Sequence, residues 1–318
     1  MSYFASIGDK MSKSGTALLF IGFISMAFTS SGYAGIIFSE NYDAIQSGWN
    51  CSDTLPSGWP SEAACGSDTY DGTTHYYGEI TSGGRTGNSL KLWRHNGGFS
   101  EYGGYLGKDL TEAEFNNHYT NLHFRWYIKF PVGWDCNQSS AHTHKLSRLN
   151  TATTYGGNPY STLYFDVKGD ISFSGGRFTL YDTQEGGVYY SEKTVAEYGV
   201  IDGNWHCYEI WFKLNSGTGV GDGELHLYLD GVEVGFKIYG QQGPLLMGFS
   251  NYDLGYPSGV YFSRFMPPAI GNLTEGTWNF PTNTWYAVEF DDYIVSTERI
   301  GCHKQLAAPN APKNIRVE

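Results

Sequence analysis

Residues 122–130, Leu122-His123-Phe124-Arg125-Trp126-Tyr127-Ile128-Lys129-Phe130, alternate without a break. Leu122, Phe124, Trp126, Ile128 and Phe130 take one face, and His123, Arg125, Tyr127 and Lys129 take the other. A period of two belongs to an extended strand with one buried and one polar face. The signature recurs over Ser161–Val167, where Leu163, Phe165 and Val167 alternate with Thr162, Tyr164, Asp166 and Lys168. It recurs again where Leu225, Leu227 and Leu229 alternate with His226, Tyr228 and Asp230, ahead of an Asp230-Gly231 turn into Val232–Val234.

Shorter runs at 35–38, 76–80, 90–94, 101–106, 171–174, 177–181, 205–214, 260–265 and 285–296 read as further strands. The Asn96-Gly97 step predicts a hairpin joining 90–94 to 101–106, because Asn-Gly favours positive φ. Helical periodicity is scarce, with one short turn or helix predicted over 111–117. Glycine (42 residues) and aromatics (17%) are abundant while charged residues reach only 16%, as many short strands with tight turns require. The expected fold is all-β: a single concanavalin A-like β-sandwich, or jelly roll, of two antiparallel sheets over residues 35–303, with a C-terminal tail at 304–318.

Lys10 and Lys13 precede an apolar run from about Ala17 to Phe28, and Gly32-Tyr33-Ala34 offers small residues where a peptidase would cut. This predicts a signal peptide over 1–34, the run being short for a membrane span. The mature protein is then expected to be secreted (extracellular or periplasmic), monomeric, and off the membrane once the signal is cleaved. A formal charge of −12 argues against nucleic acid as partner. Five cysteines in an exported chain predict disulfides. Cys51 and Cys65, close together in a Gly/Pro/Ser-rich loop, are expected to pair. Cys136, Cys207 and Cys302 leave one thiol over, and the spacing does not choose which.

His142 and His144 stand two apart, so in a strand both imidazoles share a side. Lys145 and Arg148 follow at once, and Arg125, Tyr127 and Lys129 share the polar face of the preceding strand. If the two strands are neighbours, they present a field of Arg, Tyr and His suited to an acidic polysaccharide.

The segments GGRTGNSLKLWRHNGGFSEYGGYL, LHFRWYIKFPVGW, NWHCYEIWFKLN, GDGELHLYLDGVEV and EFDDYIVSTERIG together resemble the secreted concanavalin A-like sandwiches grouped with polysaccharide lyases, heparin-lyase-like and alginate-lyase-like families being nearest in style. The resemblance spans about Gly35 to Gly301. Such lyases carry a Gln-x-His pair; here the stretch is His142-Thr143-His144, with the Gln replaced. Their Arg-x-Glu-x-Arg motif is echoed by Ser100-Glu101-Tyr102, and their Tyr-Phe-Lys strand by Tyr261-Phe262-Ser263-Arg264.

The resemblance implies β-elimination on a uronic acid, with no cofactor required. His144 is the expected base, with His142 beside it, since imidazole titrates near neutrality. Arg125 is the expected carboxylate neutraliser, and Tyr164 the acid for the leaving oxygen. Tyr127, Lys129, Lys145, Arg148 and Glu101 are expected to bind substrate. His206 shares a face with Tyr208, Ile210 and Phe212 and reads as a satisfied core histidine.

Two other readings compete. Sandwich glucanases carry Glu-x-Asp-x-x-Glu; Glu289-Phe290-Asp291 begins so, but residue 294 is Ile, leaving no second acid. Asp291 and Asp292 are expected instead to make structural hydrogen bonds or to help hold a structural calcium ion. A noncatalytic lectin or adhesin module would use the exposed aromatics without chemistry.

Overall fold

The structure, a computed structural model, describes residues 35–50, 52–53, 67–70, 73–76, 78–96, 108–134, 143–170, 173–183, 188–238, 246–247, 249–252, 256–266 and 284–302. The chain divides into two units, Met1–Ala34 and Gly35–Glu318, and the described residues belong to the second. Its strands are, in order, β1 (Ile36–Glu40), β2 (Ser67–Tyr70), β3 (Thr73–Tyr76), β4 (Gly78–Gly84), β5 (Gly87–Asn96), β6 (Lys108–Asp109), β7 (Asn121–Lys129), β8 (Thr143–Ala152), β9 (Ser161–Asp170) and β10 (Phe173–Asp182). There follow β11 (Val188–Thr194), β12 (His206–Lys213), β13 (Gly223–Leu229), β14 (Val232–Glu233), β15 (Gly235–Ile238), β16 (Leu246–Met247), β17 (Phe249–Tyr252), β18 (Tyr261–Met266) and β19 (Thr284–Ser296).

Among the described residues two large antiparallel sheets form, with β2 and β3 as a separate hairpin. Sheet one runs β14-β13-β12-β7-β19-β5-β4, with β1 added to β19 and β17 to β13. Sheet two runs β16-β15-β11-β10-β9-β8-β18-β6. The sheets pack face to face through the alternating apolar residues. Trp126 meets Phe165 edge-on at 5.5 Å, Phe124 meets Phe265 at 5.2 Å, and Phe212 meets Phe262 at 5.4 Å. Each such aromatic pair adds roughly 0.5–1.5 kcal/mol beyond its area burial. The architecture is the expected two-sheet antiparallel sandwich.

Local chemistry accounts for the joints. The one helix among the described residues, α1 (Glu112–Phe115), is fixed by a capping box: Thr111 Oγ1 accepts from the Glu114 N–H at 3.2 Å, and the Glu114 carboxylate accepts from the Thr111 N–H at 2.7 Å. Asp230 (φ 50°) and Gly231 (φ 85°) turn β13 into β14, the left-handed pair that a two-residue hairpin demands. Gly84 is there because a Cβ would stand 2.7 Å from Asp291 Oδ2.

Three expectations change. Strands 7 and 8 are not neighbours: β7 lies between β12 and β19 in sheet one, whereas β8 lies between β9 and β18 in sheet two. The intervening chain crosses the sandwich. Leu90 and Leu92 are bonded to β4 on one side and β19 on the other, so the hairpin of β5 is made with β4 across Arg85 and Thr86; the expected arm at 101–106 lies outside the described residues. The runs at 171–174 and 177–181 join in the single strand β10. Cys207 bonds to Cys302, choosing that pair from the three open cysteines; Cys51, Cys65 and Cys136 lie outside the described residues.

Candidate functional site

Part of the outer face of sheet one is covered by residues that follow β19. After β19, residues 299–302 lie back across β7 and β12. Glu209, fully buried, accepts from the N–H groups of Ile300 (2.8 Å) and Gly301 (3.1 Å). Arg125 donates to the carbonyls of Gly301 (3.3 Å) and Asp292 (3.4 Å), and the Tyr127 hydroxyl donates to the carbonyl of Cys302. The Cys207–Cys302 bond closes the strap.

Arg125 therefore has 0% exposure. Burial lowers its pKa, with Tyr127 and Asp292 pulling the other way. Burial alone would raise Glu209, but His123 at 3.4 Å and the two strap N–H groups hold it below the usual carboxylate range. Arg125 cannot neutralise a substrate carboxylate from there. The expectation is corrected because alternation marks a polar face without saying what covers it.

Two further residues leave the expected site with it. Tyr127 is 5% exposed, with the Arg85 guanidinium 4.0 Å above its ring. Lys129 pairs with Glu289 at 3.1 Å and sits 5.6 Å from the Trp205 ring, on the sheet opposite to His144. His206 is likewise corrected: it is partly exposed at the mouth of the β13–β14 turn, bridging Asp230 (2.7 Å) and Asp202 (3.0 Å).

Sheet two brings Arg148 and Tyr164 together. On β8 and β9, Arg148 pairs with Tyr164 and Asn150 with Thr162, on rungs that face away from the core; beyond a register shift, the backbone of Lys145 pairs with that of Asp166. The Arg148 guanidinium lies 4.8 Å from the Tyr164 ring centroid, and Tyr181 of β10 follows at 5.8 Å. The Nε of Arg148 is buried and makes no hydrogen bond. Tyr190 and Thr179 continue the next rung from Asp166. His144 pairs with Val167, whose rung alternates with those of Asp166 and Lys168. The side chains of His144 and Lys145, and the whole of His142 and Glu101, lie outside the described residues.

Sequence reasoning missed Asn150, Tyr181, Tyr190 and Arg264 as members of this face. The alternation Arg177-Thr179-Tyr181 was a usable signal, since it repeats the outward rungs of β9 one strand further on. Arg264, on β18, reaches the face only through a pairing that no local pattern announces.

The glucanase reading fails on geometry. Glu289 is engaged by Lys129 and, at 3.4 Å, by Ser89. Asp291 is fully buried and accepts from the N–H groups of Arg85 (2.7 Å), Thr86 (3.3 Å) and Asp292 (2.7 Å). Burial first and the Asp292 charge second push Asp291 up to about 7 despite these donors. Asp292 receives Arg85 Nε at 2.7 Å. These are the structural hydrogen bonds the sequence suggested. N–H donors occupy the oxygens a calcium ion would need, and among the described residues no three His, Cys, Asp or Glu side chains gather in a way that could hold a metal.

No family model matches the chain, and no curated protein does. Among solved structures it is similar to a variant of alginate lyase Aly36B in complex with an alginate trisaccharide, at 12% identity and a TM-score of 0.47, over 84% of this chain and 99% of that one. It is similar to an endo-β-1,4-glucuronan lyase from Trichoderma reesei at 11% identity and a TM-score of 0.43, over 83% and 96%. It is also similar to the binding domain of botulinum neurotoxin serotype C1 at 9% identity and a TM-score of 0.40, over 75% and 44%. At such identities no residue is carried over from these proteins to this one.

Proposed function

We propose that the protein is a secreted polysaccharide lyase that cleaves a uronate-containing chain by β-elimination on the outer face of sheet two. The observation that carries this reading is Arg148 against Tyr164: a half-exposed guanidinium with a buried, unbonded Nε, stacked on a phenol. A guanidinium beside a phenol hydroxyl supplies what a uronate requires, the cation for its carboxylate and the hydroxyl for its leaving oxygen.

In the proposed reaction Arg148 takes the neutralising role first expected of Arg125. The proton at C5 passes to a base on β8, the electron pair forms the C4–C5 double bond, and the C4–O4 bond breaks. Tyr164 gives its proton to O4. His144 and Lys145 are the two base candidates on β8; their backbones pair with those of Val167 and Asp166.

The test is a panel of uronate polysaccharides followed by the ultraviolet absorbance of the unsaturated product end. Arg148→Ala should cost about 10²–10³ in turnover, the usual worth of one preorganised donor at a developing charge. Tyr164→Phe and the variant lacking the true base should each cost about 10²–10⁴. Wild-type protein that binds these polymers and never yields an unsaturated end would make it a noncatalytic lectin. The exported protein should begin near Gly35.

A further inference from the structure

One rung along β8 from Arg148, about 7 Å at the rise of a strand, the same face opens into a cavity of about 230 Å³ at the β6 edge of sheet two. Its floor is Asn150, Ser263 and the Arg264–Asp109 pair; Asn150, Arg264 and Asp109 are in register across β8, β18 and β6, and Ser263 sits in the register shift beside them. Its wall is aromatic. Tyr155 is 51% exposed on the turn between β8 and β9 and leans on Phe115 of α1, ring centroids 6.2 Å apart. Gly156 (φ 68°) and Gly157 complete that turn and keep the opening clear of side chains.

We propose that this cavity is a single-ring subsite for a neutral sugar. The inference rests on the lyase reading for what lies beside it, and it makes the substrate a mixed polymer in which a neutral ring neighbours the uronate.

Size, polarity and charge each support it. The volume falls just below the roughly 300–1,000 Å³ of a drug-sized pocket, which suits one ring and not a longer stretch of chain. Asn150 is 95% buried, yet its Oδ1 has no hydrogen-bond partner. An orphaned buried acceptor costs roughly 1–3 kcal/mol until a donor arrives. A sugar hydroxyl is such a donor. Arg264 is held by Asp109 through Nε and, at 3.0 Å, through Nη2, so its fork is filled and the pair is neutral overall. An entering carboxylate would find no free cation there and would face the charge of Asp109. Tyr155 offers the flat apolar surface on which the C–H face of a pyranose packs.

The experiment is saturation-transfer difference NMR on the full protein, with methyl α-D-glucopyranoside and methyl α-D-mannopyranoside as neutral probes and sodium methyl glucuronoside as the acidic one. At least one neutral probe should show saturated ring protons. The signal should fall about fivefold or more in Tyr155→Ala and in Asn150→Ala, persist in Arg148→Ala, and exceed that of the acidic probe. Tyr155 is an exposed turn residue, so its variant keeps the test open if Asn150→Ala unfolds. Failure of both neutral probes to bind, stronger saturation of the acidic probe, or a signal indifferent to Tyr155 and Asn150 would overturn the proposal. Neutral-probe binding that depends on these two residues, in a protein that forms no unsaturated ends, would keep the subsite and remove the lyase.

Discussion

Arg125 and Arg148 are the same side chain in opposite surroundings. The first is enclosed by the strap, with Nη1 and Nη2 donating to the carbonyls of Gly301 and Asp292; the second stands partly exposed over the Tyr164 ring. Their substitutions should separate accordingly. Arg125→Ala leaves buried carbonyls without donors and removes one of the charges that stabilise Glu209, and should lower unfolding free energy by about 2–4 kcal/mol. The folded fraction should keep normal turnover. A denaturant titration alongside a rate measurement checks both halves; a large loss of turnover with unchanged stability would return Arg125 to the active site. At this scale the sequence was legible in part. Tyr164 and Arg148 stood out as outward-facing positions, whereas Arg125 was misplaced because a polar stripe looks the same before and after something lies down on it.

At the scale of elements, most strands could be read from alternation, since a period of two leaves little else to choose. The pairing of strands could not. Successive strands are spatial neighbours only about two-thirds of the time, and β7 and β8 are an exception, which is why the expected Arg-and-His field splits between two sheets. The irregular end of β19 also escaped: Asp292 adopts φ 49°, a left-handed kink next to the register shift between Asp291 and Ile294.

That kink carries a pH effect. Asp291 titrates near 7 when folded against an ordinary 3.8. The folded state thus holds a proton that the unfolded state has lost, and stability should fall as pH rises from about 4 to about 7. His206, raised by Asp230 although burial opposes this, contributes fully below about 6.5, and its share is lost as pH rises through its folded value, extending the decline. Chemical unfolding at pH 4.5, 6 and 8 measures the trend. Asp291→Asn should flatten its lower part, and an unchanged slope in that variant would assign the effect elsewhere.

On the scale of the whole molecule, the sandwich needs its last described residues as much as its core. Cys207 and Cys302 are 95 positions apart, and a bridge closing so long a loop is worth about 2–5 kcal/mol. Cys302→Ser should therefore lower the melting temperature markedly. Turnover at low temperature should persist, because the strap covers sheet one while the proposed chemistry lies on sheet two; equal loss of both would mean the sheets are coupled. Cysteine content announced disulfides but left Cys136, Cys207 and Cys302 unassigned, as spacing carries no information about which strands face each other.

The position of β19 also constrains the order of events in the chain's life. It follows every other described strand in the chain, yet it sits inside sheet one, bonded to β7 along one edge and to β5 and then β1 along the other. Until it leaves the ribosome, those strands have a gap where their shared neighbour belongs, and their backbone groups stay open to water. Sheet one cannot close strand by strand from the N-terminus; it must wait for β19 and then close contacts between distant parts of the chain, a slow topology. Until then β5 and β7 keep exposed edges, and an exposed edge is a place where another chain can pair.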